Sequence, residues 1–115
     1  MNKIKLKDIA KITMGQSPES SFVSSEKIGL PLLNGPAEFT NKFPIPVQYT
    51  TDPKRKAITN DILFCVRGST TGRMNIADQD YAIGRGLASI RHLSDKNLNI
   101  YIKAIIESNL KKLLG

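Results

Sequence analysis

Residues 61–91, DILFCVRGSTTGRMNIADQDYAIGRGLASIR, read as strand, glycine-rich turn, loop, turn and strand again. The apolar run from Ile62 to Val66 follows a Thr59-Asn60-Asp61 turn signal and predicts a buried strand. Asn75 to Ile83 and Leu87 to Leu93 predict two further strands. Arginine recurs at Arg67, Arg73, Arg85 and Arg91, and Arg67 and Arg85 each adjoin a glycine. Glycine admits positive φ and close approach of backbone to a partner. A guanidinium offers a planar donor fork suited to phosphate or to a guanine edge. The stretch therefore reads as a strand scaffold that presents cationic loops to something anionic.

Outward from this stretch, the chain stays strand-rich. A short strand or helical turn at the start leads into a strand at Lys11 to Gly15. A polar, serine-rich loop follows, GQSPESSFVSSE. Leu30 to Phe39 is apolar but interrupted by Pro31, Gly35 and Pro36, which predicts a short strand ending in a turn. FPIPVQYTT carries Pro44 and Pro46, which a central ladder does not accept, so it reads as an edge strand or an extended arm. DPKRK reads as a charged turn. Near the C-terminus, Ser94 or Asp95 is placed to cap a helix. Its stripe is Leu98, Ile102, Ile105, Ile106, Leu110, Leu113 and Leu114, with Lys103, Glu107, Lys111 and Lys112 toward water. Ile62, Leu63, Phe64 and Val66 are expected to pack with that stripe in the core.

The 115 residues suit one small domain. Lys plus Arg is 17 against 10 acidic residues, a net charge of +7, spread as +4 over residues 1–57 and +3 beyond. Such an excess favours an anionic partner: nucleic acid, a membrane surface or an acidic protein. No apolar run is long enough to span a membrane, and the charged start MNKIKLKDIAKI is not a signal peptide. The single Cys65 lies in an apolar run and reads as a buried core thiol, which fits a reducing cytoplasm. With His92 as the only histidine, neither a zinc site nor a Cys–His pair is supported.

Asp78 and Asp80 are two apart and could form a paired carboxylate. The plainer reading is a loop in which they cap backbone amides or pair with Arg73 or Arg85, and no metal is expected there. Binding residues are better represented. Arg67, Ser69, Thr70, Thr71 and Arg73 interleave guanidiniums and hydroxyls between glycines, a set that bonds phosphate oxygens and base edges. Gln16, Ser17, Gln48 and Tyr49 add donors and acceptors of the kind that read adenine or thymine.

The chain resembles the target recognition domain of type I restriction-modification specificity (S) subunits. KLKDIAKITMGQSP is similar to the opening block of that family, LPLLNGPAEF with PIPVQYTT to its next block, and residues 61–91 to its most specific block, ending in ADQDYAIGRG. The resemblance implies an α+β, strand-rich, β-helix-like DNA-methylase specificity domain with a C-terminal helix. It implies sequence-specific binding of double-stranded DNA, each domain reading one half of a bipartite target. It implies methyltransferase (M) and restriction (R) subunits as partners, with S-adenosylmethionine, ATP and Mg²⁺ used there and not here. The chain itself is then no enzyme and carries no cofactor. Gln16, Ser17, Arg67, Ser69, Thr70, Thr71, Arg73 and Arg85 are the expected DNA-binding residues. Residues 1–115 read as a single, partial recognition domain, without the family's long spacer helix and second domain. The alternative is a fragment that does not hold DNA and acts only as a protein-interaction piece.

Overall fold

The computed structural model describes residues 6–114, with side chains at residues 8–95 and 97–109. A short helix α1 (Leu6–Ile9) runs straight into β1 (Ala10–Met14). After the serine-rich loop come β2 (Val23–Ser24), β3 (Leu30–Leu33), β4 (Gln48–Thr50) and β5 (Lys56–Ala57). The decisive stretch supplies β6 (Ile62–Cys65), β7 (Met74–Ile76), β8 (Tyr81–Ile83) and β9 (Leu87–His92), and α2 (Asn99–Leu114) closes the chain. The strands form two sheets, ordered β1-β9-β6-β7 and β2-β4-β3-β8-β5. All pairings are antiparallel except β3 with β8, where Leu32 lies beside Ala82 and Leu33 beside Ile83.

β6 explains why this stretch is so apolar. A strand buried on one face alternates, whereas one buried on both reads as a continuous apolar run. Leu63 and Cys65 point to a cluster with Leu33, Phe39, Ala57, Ala77, Tyr81, Ile83 and Leu87, which joins the two sheets. Ile62 points the other way, with Ala10 and Ile90, onto Ile102 and Ile106 of α2. Phe64 and Val66 are only half-buried.

Three expectations need correction. Asn75 to Ile83 is not one strand: β7 pairs with β6 in the first sheet and β8 with β3 in the second. The chain changes sheets at Asp78-Gln79-Asp80, where Asp78 accepts from the Tyr81 hydroxyl and Asp80 from the Thr59 amide. The proline segment is an extended arm only up to Val47. The strand that follows, β4, is interior, lying between β2 and β3. Ile105 is 44% exposed and outside the core. The helix meets the sheet along an i, i+4 seam, Ile102 and Ile106, too narrow to include it. The side chains of Leu110, Leu113 and Leu114 lie outside the described residues.

The helix is also held by polar bonds. Asp95 Oδ1 accepts the Asn97 amide at 2.9 Å and caps the single turn Lys96–Leu98 that leads into the helix. Asn99, buried, accepts the His92 amide at 2.6 Å and donates to the Asn60 carbonyl at 2.8 Å. Among the described residues no helix is long and apolar enough to cross a membrane.

Candidate nucleic-acid interface

The exit of β1, the exit of β6 and the β8–β9 turn meet at Gly84-Arg85-Gly86. The Gly15 amide donates to the Leu87 carbonyl at 2.8 Å and the Gln16 amide to that of Ile83 at 3.0 Å. The Val66 amide donates to the Gly86 carbonyl at 3.0 Å, and the Gly84 amide to the Leu33 carbonyl at 2.8 Å. Glycine makes this convergence possible. A Cβ on Gly15 would stand 1.9 Å from the Gly84 oxygen, and one on Gly86 would stand 2.3 Å from the Asn34 oxygen. Both neighbours are backbone, so neither contact can be relieved by a rotamer change. At Gly86 and Gly15 proximity is thus the reason for glycine, whereas Gly68 does take the positive φ expected, 76°.

The result is a surface depression lined by Gln16, Arg67 and Arg85, with Ile12, Thr13, Met14 and Gly15 of the β1 exit and Arg55 from the charged turn. Ser17 sits behind Arg85, its Oγ accepting the Arg85 amide at 3.2 Å. Arg55 is held by backbone too: its carbonyl accepts the Ile83 amide at 3.0 Å, next to the β5–β8 pair Lys56 and Ala82. Its Nη1 donates to the Lys54 carbonyl at 3.0 Å. Among the described residues, no carboxylate pairs with Arg55, Arg67 or Arg85. No acidic side chain lines the depression.

The structure therefore brings together Gln16, Ser17, Arg67 and Arg85 and leaves the hairpin tip apart. Ser69, Thr70 and Arg73 are exposed there, outside the depression's lining. The Thr71 hydroxyl donates to the Gly68 carbonyl at 2.7 Å, and Thr70 Oγ1 lies 3.4 Å from Cys65 Sγ, so both hydroxyls fasten the tip's own turn. Gln48 Oε1 accepts from Asn34 Nδ2 at 2.9 Å, and neither residue lines the depression. Arg91, the remaining arginine of the stretch, is bound to Asp61 (Nε to Oδ1 2.6 Å, Nη2 to Oδ2 2.8 Å). Arg55 is the residue the sequence reading missed. Its signal was the basic DPKRK turn, but its place beside Arg85 depends on a strand pairing about 25 residues long-range, beyond any local pattern.

Asp78 and Asp80 hold the β7–β8 turn. The Tyr81 hydroxyl donates to Asp78 Oδ1, and Asp80 Oδ1 accepts the Thr59 amide at 3.1 Å. Neither bonds Arg73 or Arg85. Burial first, and the bond to Asp78 second, push the Tyr81 phenol up to about 12. Cys65 is fully buried, its thiol donating to the Arg67 carbonyl at 3.3 Å. His92 Nδ1 instead accepts the Ser94 and Asp95 amides at the other end of β9. Among the described residues one buried side-chain oxygen lacks a partner: Glu38 Oε2, whose sister oxygen accepts the Asn34 amide at 3.4 Å.

Known proteins share this fold. The family model described as type I restriction modification DNA specificity domain matches residues 1–115. A curated sequence named as a type I restriction enzyme specificity subunit of Methanocaldococcus jannaschii is 46% identical over 92 residues, covering 80% of this chain and 21% of the relative. A chain from a study of complex assembly and conformational transition in a type I R-M system superposes with a TM-score of 0.81 at 34% identity, covering 93% of this chain and 28% of its own. The HsdS subunit from Thermoanaerobacter tengcongensis gives 0.79 at 32% identity, covering 91% and 27%. This chain thus spans between a fifth and a third of each of these relatives.

Proposed function

We propose that this chain, which belongs to the family of type I restriction modification DNA specificity domains, reads one half of a bipartite DNA target as the recognition module of a specificity subunit. The observation that carries this reading is the depression in which Arg55, Arg67 and Arg85 converge beside Gln16 without an acidic partner. Guanidiniums that line one depression with no carboxylate among its lining repel one another, and an anion relieves that repulsion. Gln16 adds an amide able to bond an adenine edge in two places. Arg73 and Ser69 on the hairpin tip, together with Thr70 and Thr71, form a second contact region, with the two threonines supporting the loop. Within this reading residues 1–115 act as a single, partial recognition domain in the cytoplasm, methyltransferase and restriction subunits are the partners, and catalysis lies on those subunits.

A selection from random duplexes tests the proposal. The full chain is expected to enrich a short half-site, with affinity that falls steeply between 50 and 200 mM salt, as phosphate contacts require. Failure to retain any duplex at low salt would overturn it. A second reading, a protein-interaction piece, draws on the exposed Ile100, Tyr101 and Ile105 of α2. It predicts concentration-dependent association that persists or strengthens in high salt.

A further inference from the structure

We infer that Arg55, Arg67 and Arg85 form a clamp for the DNA backbone phosphate, and that this depression fixes register on the duplex without itself reading a base through arginine. The inference rests on the DNA-binding reading above and assigns Arg55, which sequence patterns did not single out, a function within it.

Donor geometry favours a phosphate. A guanine edge in the major groove offers two acceptors, O6 and N7, and one guanidinium fork satisfies both. Three guanidiniums around one depression would leave two forks without base acceptors. A phosphate diester exposes charged oxygens toward several directions and accepts from more than one arginine. Charge points the same way, because no acidic side chain lines the depression.

The clamp is also built in advance. Arg85 is tied to the Arg55 segment by the Ile83 amide to Arg55 carbonyl bond, and to the Arg67 segment by the Val66 amide to Gly86 carbonyl bond, each 3.0 Å. The three backbones therefore keep their spacing whether or not an anion is present, so binding orders only the side chains. Gln16 lines the same depression and is left for a base edge.

The test compares R55A with the parent on the selected duplex and on a scrambled one, by fluorescence anisotropy at four salt concentrations. Arg55 is exposed, and an unchanged melting temperature checks that the variant is folded. R55A should lose the same factor on both duplexes, roughly three- to tenfold, and the slope of log K against log salt should shrink by about 0.9. A loss confined to the selected duplex would overturn the clamp in favour of a base-reading Arg55. Unchanged affinity and slope would overturn it outright, while the DNA-binding reading would stand on the parent's own binding. Should the parent bind no duplex, that reading fails and the clamp is judged alone with inorganic pyrophosphate, followed through the arginine Nε–Hε NMR signals. Arg55, Arg67 and Arg85 shifting together to saturation upholds it; three unmoved signals reject it.

Discussion

Asp61 is fully buried and accepts three bonds, from Arg91 Nε, Arg91 Nη2 and the Ile58 amide, the last at 2.9 Å. The pair ties β9 to the turn before β6, and removing one partner leaves a carboxylate with no cation in a site water does not reach. Arg91→Ala is expected to lower stability by about 3 kcal/mol, less than for a fully enclosed pair because the Arg91 side chain is 28% exposed. Urea denaturation checks this, and a loss under 1 kcal/mol would show that Asp61 finds another donor. Arg67, at the other end of β6, is not the partner of Asp61. The structure uses Arg91 because β6 and β9 run antiparallel, so that the strand end opposite Asp61 carries residue 91. Tyr81 gives a second test. Its phenol is raised from 10.0 to about 12, so the folded state holds the proton after the unfolded chain has released it. Its contribution is therefore complete below pH 10 and declines as pH rises toward 12. The stability difference between parent and Tyr81→Phe should be constant from pH 7 to 9 and then shift against the parent between 10 and 12. A difference that stays flat to pH 12 would mean that the phenol titrates as it does in the unfolded chain.

Strand existence was legible wherever burial wrote a pattern, and strand partnership was not. Ile62 to Cys65 is apolar on both faces, so the strand stood out by composition alone. Residues 75–83 carry strand-forming side chains on either side of a polar break, and nothing local says that the halves enter different sheets. The prolines were legible as breakers, yet they end before β4 and say nothing of its interior place. In α2 the periodicity overstates the buried stripe, because isoleucine at positions 102, 105 and 106 satisfies a helical stripe whichever two face inward. The structure decides between them. Ile102, 1% exposed, should not tolerate Asp, which would bury an unpaired charge and cost several kcal/mol, on the order of 3 or more. Ile105→Asp at a 44% exposed position should stay within about 0.5 kcal/mol of the parent. Paired thermal melts decide it: equal destabilisation by the two variants would mean that the whole apolar side of the helix packs inward.

At the scale of the whole molecule, the site exists because distant segments meet. β1 pairs with β9 from opposite ends of the chain, β3 with β8 across about 50 residues, and the depression is lined by residues 12–16, 55, 67 and 85. The individual arginines could be suspected from the chain, but their grouping is a product of topology, which single-sequence patterns do not encode. The net charge of +7 then acts on fold and partner in opposite ways. Like charges repel in the compact state, so screening them should stabilise it slightly. The same ions compete for phosphate and should weaken duplex binding. Raising salt from 20 to 200 mM should therefore raise the melting temperature by about one to a few degrees, since the Debye length falls to below about 10 Å, while duplex affinity drops by orders of magnitude. Both are measured on one sample, by a melting scan and by anisotropy. If stability and binding fell together, weakened binding would reflect unfolding, and if neither moved, the charge would play no part in either. Opposite responses separate an electrostatic contact surface from a general loss of structure.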